Sequence, residues 1–218
     1  MIKGVIFDID GVVLDSMSIW KDLGARYLIS QGVKPEEGLN EILFSMSMEQ
    51  GAEYAKEHYG LNESVEEILD GIRLMIQSFY FEEVQAKPGA ERLMSFMKEN
   101  GIKITAATSS PRIHIERALE RNGLLGFFEK IFTTSEIGVS KHSPVIYNMA
   151  SDFMNLEENE VLVLEDSLYA LKTAKKAGYK TAGVYDGDGE PDQDGVRETG
   201  DIYITELNEL VEHWDELG

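Results

Sequence analysis

Met1-Ile2-Lys3-Gly4-Val5-Ile6-Phe7-Asp8-Ile9-Asp10-Gly11-Val12-Val13-Leu14-Asp15 is the stretch on which the reading of this chain turns. Residues 2–7 are mostly β-branched or aromatic and do not alternate with polar residues, the pattern of a strand buried on both faces. Two carboxylates follow at once, one residue apart, and then a glycine. A strand ending in Asp-x-Asp-Gly puts two acids at the carboxyl edge of a sheet, where open α/β sheets bind their ligands. With Ile9 packing away, Asp8 and Asp10 face one cleft. Two acids so close are costly unless a cation lies between them or their roles diverge. A hard cation such as Mg²⁺ suits all-oxygen ligands. The plain alternative is a solvated turn, since Asp-Gly is a frequent turn dipeptide.

The composition limits the partners. A chain of 218 residues allows one large domain or two modest ones. Forty acidic residues against 20 basic give a formal net charge of −20. That field repels a phosphate backbone and an anionic bilayer, so neither nucleic acid nor membrane is expected as a partner. A phosphorylated substrate would need a local positive site. No cysteine is present, which removes disulfides and thiolate chemistry and suits a reducing, cytoplasmic setting. The first strand begins so early that no signal peptide is expected. A monomer is expected.

From residue 16 the periodicity becomes helical. Trp20, Leu23, Tyr27 and Leu28 recur at three- and four-residue steps, and residues 36–44, 48–59 and 64–81 read as three more helices. Gly32, Gly60 and Asn62 punctuate the turns. Residues 16–86 therefore form a small helical bundle inserted between the first strand and the rest, a placement suited to a closing lid. Residues 1–15 and 87–218 form the second, α/β domain. In it, strands at 102–107, 130–133, 161–164, 180–184 and 202–204 alternate with helices, giving a doubly wound parallel sheet. The strand at 102–107 runs into Thr108-Ser109-Ser110-Pro111. Ser110 reads as a helix cap with Pro111 as the first helical residue, and such a junction also makes a phosphate site. The strand at 161–164 ends in Glu165-Asp166, repeating the opening device. Residues 186–195 have a weak look of a calcium loop, but lack helical flanks and read as an acidic surface loop. His58, His114 and His213 read as surface residues of helices.

Asp8-Ile9-Asp10-Gly11-Val12-Val13-Leu14-Asp15-Ser16 resembles the first motif of the haloacid dehalogenase superfamily, in its phosphatase and β-phosphoglucomutase-like branch. Thr108, Lys141 and Glu165-Asp166 match the later motifs in order, with His142 where the family often has proline. The resemblance implies a Rossmann-like core with a helical cap. It implies a nucleophile at Asp8 and an acid–base at Asp10. Thr108, Ser109 and Lys141 would bind phosphate, and a Mg²⁺ ion would be held by Asp8, the Asp10 carbonyl, Asp166 and, nearby, Glu165. The expected activity is hydrolysis of a small phosphorylated metabolite through an aspartyl-phosphate. A phosphomutase is the alternative, opposed by the cap stretch 43–49, which has no Arg or Lys where the mutases present a basic residue. Arg73 is a cap residue with possible reach to the cleft. A phospho-Asp signalling module is a further alternative, against which stand the helical insert and the second aspartate.

Overall fold

The computed structural model describes residues 1–43 and 46–217, and the chain divides into two compact units, Met1–Met17 with Val84–Gly218, and Ser18–Glu83. The first strand, β1 (Gly4–Phe7), is wholly buried.

The smaller unit is helical: α1 (Ile19–Ser30), α2 (Leu39–Leu43), α3 (Met48–Tyr59) and α4 (Val65–Ser78), the last widening into a π-helical turn over Phe79–Glu83. Both α3 and α4 open with complete capping boxes, Ser47 with Gln50 and Ser64 with Glu67. Each box satisfies amides that a helix start leaves open. Gly60 closes α3 in the left-handed conformation. Tyr27, Leu28, Leu39, Ala52 and Ile68 share one core. The second helix starts later than its periodicity suggests. Gly38 has φ 81°, and the Glu36 carboxylate accepts from the Tyr54 and Tyr59 hydroxyls at 2.7 and 3.1 Å. Glu36 thus serves as a tie to α3. Phe44, the expected end of this helix, lies outside the described residues. Arg73 pairs with Asp70 at 2.6 Å on the exposed face of α4.

The larger unit continues with α5 (Ala90–Glu99), β2 (Lys103–Thr108), α6 (Arg112–Arg121), β3 (Lys130–Thr133), α7 (Thr134–Ile137) and α8 (Val145–Met154). Then come β4 (Val161–Glu165), α9 (Leu168–Lys176), β5 (Lys180–Val184), α10 (Gln193–Thr199), β6 (Ile202–Ile204) and α11 (Leu207–Glu212). All strand pairs are parallel, in the order β3-β2-β1-β4-β5-β6. The chain steps outward from β1 through β2 to β3, then returns to the other side of β1. The carboxyl ends of β1, β2 and β4 therefore flank the point where the order reverses, the usual ligand crevice of such sheets. Ile6, Ala107, Val163, Tyr147, Ala150 and Ala174 bring α8, α9 and the central strands into one core.

Two local readings are corrected. Residues 193–195, expected at the end of the acidic loop, instead open the helix α10: the Asp192 carboxylate accepts from the Gly195 amide at 2.9 Å, and Val196 is fully buried. Glu190 accepts from the amides of Leu168 and Asp192, so the carboxylate of the weak calcium pattern is taken up in holding the loop. Helix α6 begins at Arg112 with Pro111 as its cap and no side-chain cap bond, so Ser110 does not cap it.

Ile6 lies in the central strand and is fully buried. Ile6→Ala should cost about 2–5 kcal/mol through lost contacts and a cavity. A loss below about 1 kcal/mol in urea unfolding would contradict the packing described.

Candidate active site

The turn after β1 sets the geometry. The Asp8 amide still donates to the Leu164 carbonyl at 2.9 Å, so this residue remains anchored to β4. The chain then folds back tightly, with the Val13 and Leu14 amides both donating to the Ile9 carbonyl. Gly11 has φ 74°, and a Cβ there would collide with the Asp166 carboxylate. Only glycine meets both conditions without cost. Lys87 holds this turn from outside. Its ammonium donates to the carbonyls of Gly11 (2.5 Å) and Tyr185 (2.8 Å) and pairs with the buried Asp186 at 2.9 Å.

Asp8, Lys141, Glu165 and Asp166 are all buried at the carboxyl ends of β1 and β4 or, for Lys141, in the segment before α8. Lys141 Nζ lies 2.6 Å from Asp8 Oδ1 and 2.8 Å from Glu165 Oε1. The Tyr147 hydroxyl donates to the same Glu165 oxygen at 2.7 Å. Burial would lower the Lys141 ammonium, but Asp8 and Glu165 outweigh it and hold the group well above its ordinary value. Burial pushes the Asp8 carboxyl well up; Lys141 opposes this, while Glu165, Asp166 and Asp10 add to it. Asp166 is pushed up to about 7 by burial, then by Glu165. Burial, then Glu165, also raises the Tyr147 phenol.

Asp10 is held by two hydroxyls. Ser16 Oγ donates to Oδ1 at 2.7 Å and Ser110 Oγ to Oδ2 at 2.6 Å. Thr108, fully buried at the end of β2, accepts from the Ser110 amide at 3.1 Å. Ser109 is exposed at the apex of that turn, and His114, expected at the surface, is half-buried. Burial lowers the His114 imidazole.

Asp8, Glu165 and Asp166 each offer a carboxylate oxygen within 4.8 Å of the others. Three buried acids against one lysine make a site that could hold a cation, and an all-oxygen set fits a hard divalent ion. Of the residues singled out in the sequence, Asp8, Lys141, Glu165 and Asp166 meet directly. Asp10 is joined to the Thr108 turn through Ser110. Ser16, Ser110, Tyr147, Lys87 and Asp186 were not singled out for the site. Ser16 and Ser110 had signals, one inside the first motif and one beside Thr108, but a serine at such a place reads equally as a cap.

The model of the haloacid dehalogenase-like hydrolases matches residues 5–184. The chain belongs to that family. It is 26% identical over 176 residues to a phosphorylated carbohydrates phosphatase of Thermotoga maritima, covering 81% of this chain and 82% of that one. It is also 26% identical over 228 residues to the beta-phosphoglucomutase of Bacillus subtilis, covering 97% and 96%. A crystal structure of a family hydrolase from Deinococcus radiodurans, with bound phosphate and sodium, superposes with a TM-score of 0.79 at 20% identity over 100% and 96% of the two chains.

The raised Asp166 carboxyl has a consequence for stability. Its unfolded value is near 4 and its folded value about 7, so folding takes up a proton between these limits. Stability therefore falls as the pH rises through that window. In EDTA, Asp166→Asn is spared this loss. Its melting temperature relative to wild type should climb from about pH 4 to about pH 8, and a constant difference would contradict the assignment.

Proposed function

We propose that the chain is a Mg²⁺-dependent phosphatase of small phosphomonoesters, a sugar phosphate or similar metabolite, acting through an aspartyl-phosphate on Asp8. The observation that carries this reading is the buried Asp8 carboxylate, 2.6 Å from Lys141 and two residues before an aspartate held by two serines. An Asp8 oxygen attacks phosphorus as the ester P–O bond breaks, and the proton of Asp10 goes to the leaving alkoxide. Asp10, now a carboxylate, takes a proton from water. That water attacks phosphorus, the Asp8–phosphorus bond breaks, and phosphate leaves. Lys141, Thr108 and the Ser109 amide bind the phosphoryl oxygens, Lys141 offsetting their charge. Asp8, the Asp10 carbonyl and Asp166 would hold Mg²⁺, with Glu165 beside them, its Oε1 already engaged by Lys141 and Tyr147. The ion supplies charge neutralisation at the transferring group. The helical unit is assigned the part of a cap that carries specificity. Members of the family named as phosphatases support hydrolysis.

The runner-up is a phosphomutase, favoured by the full-length similarity to a beta-phosphoglucomutase and opposed by the absence of Arg and Lys from residues 43–49. Phosphate release from a panel of phosphomonoesters, β-glucose 1-phosphate included, separates the two. The phosphatase gives Mg²⁺-dependent release that EDTA abolishes. Conversion of glucose 1-phosphate to glucose 6-phosphate, with a bisphosphate primer and little release, assigns the mutase. Asp8→Asn should abolish turnover, and Asp10→Ala should cost about two to four orders of magnitude in rate. Near-normal activity in either variant sinks the reading. Ca²⁺ should inhibit, because its looser coordination misplaces the nucleophile, and equal rates in Ca²⁺ and Mg²⁺ would count against it.

A further inference from the structure

We propose that Ser110 is a positioning residue that fixes the Asp10 carboxyl for proton transfer and thereby sets the enzyme's ability to expel poor leaving groups. The inference rests on the proposed role of Asp10 as proton donor. Ser110 stands between β2 and α6, where a serine before proline ordinarily caps the helix. Here it does not: α6 starts at Arg112 without a side-chain cap, and the Ser110 hydroxyl instead reaches Asp10 Oδ2 at 2.6 Å, across 100 positions of sequence. The backbone of Ser110 is itself fixed, since its amide donates to Thr108 Oγ1 at 3.1 Å. Ser16 binds the other oxygen, Oδ1, at 2.7 Å. Each carboxylate oxygen thus meets a hydroxyl, and the two come from separate elements of the larger unit.

Such a clamp has a specific effect. An aspartate side chain has two soft torsions, and a hydrogen bond at one oxygen constrains the plane of the carboxyl less than bonds at both. Two donors on opposite oxygens fix its plane. A proton donor contributes only when aimed at the oxygen that develops charge. Its contribution depends on that oxygen's basicity. An alkoxide leaves poorly without a proton, whereas p-nitrophenolate leaves readily with none. The Ser110 hydroxyl acts through its bond to Asp10, so its removal should show in leaving-group selectivity.

The test compares wild type, Ser110→Ala and Ser110→Thr on glycerol 2-phosphate and p-nitrophenyl phosphate. The readout is kcat/KM, which reports the step in which the leaving group departs. Ser110→Ala should lose about tenfold on glycerol 2-phosphate and less than about twofold on p-nitrophenyl phosphate. Ser110→Thr, which keeps the hydroxyl, should retain most of both. An equal loss on both substrates, or no loss on either, overturns the inference. Crystal structures of wild type and Ser110→Ala decide it independently of turnover. A turned Asp10 carboxyl in the variant supports the inference, and an unchanged one overturns it. If wild type hydrolyses neither these esters nor any phosphomonoester of the panel, the proposed function fails, and the structures alone still judge the role of Ser110.

Discussion

The Lys141 ammonium, buried between Asp8 and Glu165, is the contact on which the rest of the site depends. Taking three charges out of water costs several kcal/mol per ion, and only close geometry offsets it. The sheet supplies that geometry. Asp8 and Glu165 stand at the ends of neighbouring parallel strands, and Tyr147, rooted in the core through α8, shares the Glu165 oxygen. One lysine does not balance the acids, however. Burial first, and the neighbouring acids after it, lift Asp8 and Asp166 above their ordinary range. On the proposed function, this cluster would hold a hard cation and, with Lys141, give phosphate a local positive site in a chain of net charge −20.

The turn from Ile9 to Leu14 converts this charge cluster into a working arrangement. Its doubled-back backbone needs the positive φ of Gly11, and the same residue lets Asp166 approach. Lys87 closes the outside of the turn by joining Gly11 to Tyr185 and Asp186, so the ends of β1 and β5 are tied by one ammonium. Asp10 is thereby delivered on a fixed backbone to the two serines that hold its side chain. On the proposed mechanism, nucleophile and proton donor differ because their surroundings do: one carboxylate faces an ammonium, the other faces hydroxyls.

Much of this was legible in the sequence because parallel strands carry their chemistry at their ends. An apolar run followed by Asp8-x-Asp10, by Thr108 or by Glu165-Asp166 states both the strand and the site. Lys141 was legible only from its place in the order, since nothing local distinguishes it from a solvated lysine. The helical unit was legible from periodicity, except near Glu36, where bonds from Tyr54 and Tyr59 override local preference. Residues 193–195 read as loop because acidic side chains dominate the pattern, although Asp192 caps a helix there. The failure at Ser110 has a similar origin. A serine before proline has two good uses for its hydroxyl, and only the fold, by bringing Asp10 within reach, decides between them. Tyr147 and Asp186 left no trace, the latter falling in the stretch that reads as an acidic loop.

The central claim is that Asp8 carries the phosphoryl group, and the most direct measurement is peptide mass analysis of enzyme acid-quenched during turnover of a hydrolysed phosphomonoester. The account predicts one added phosphoryl group on the peptide containing Asp8, absent in Asp8→Asn. A phosphoryl group on any other residue, or steady turnover by Asp8→Asn, would contradict it.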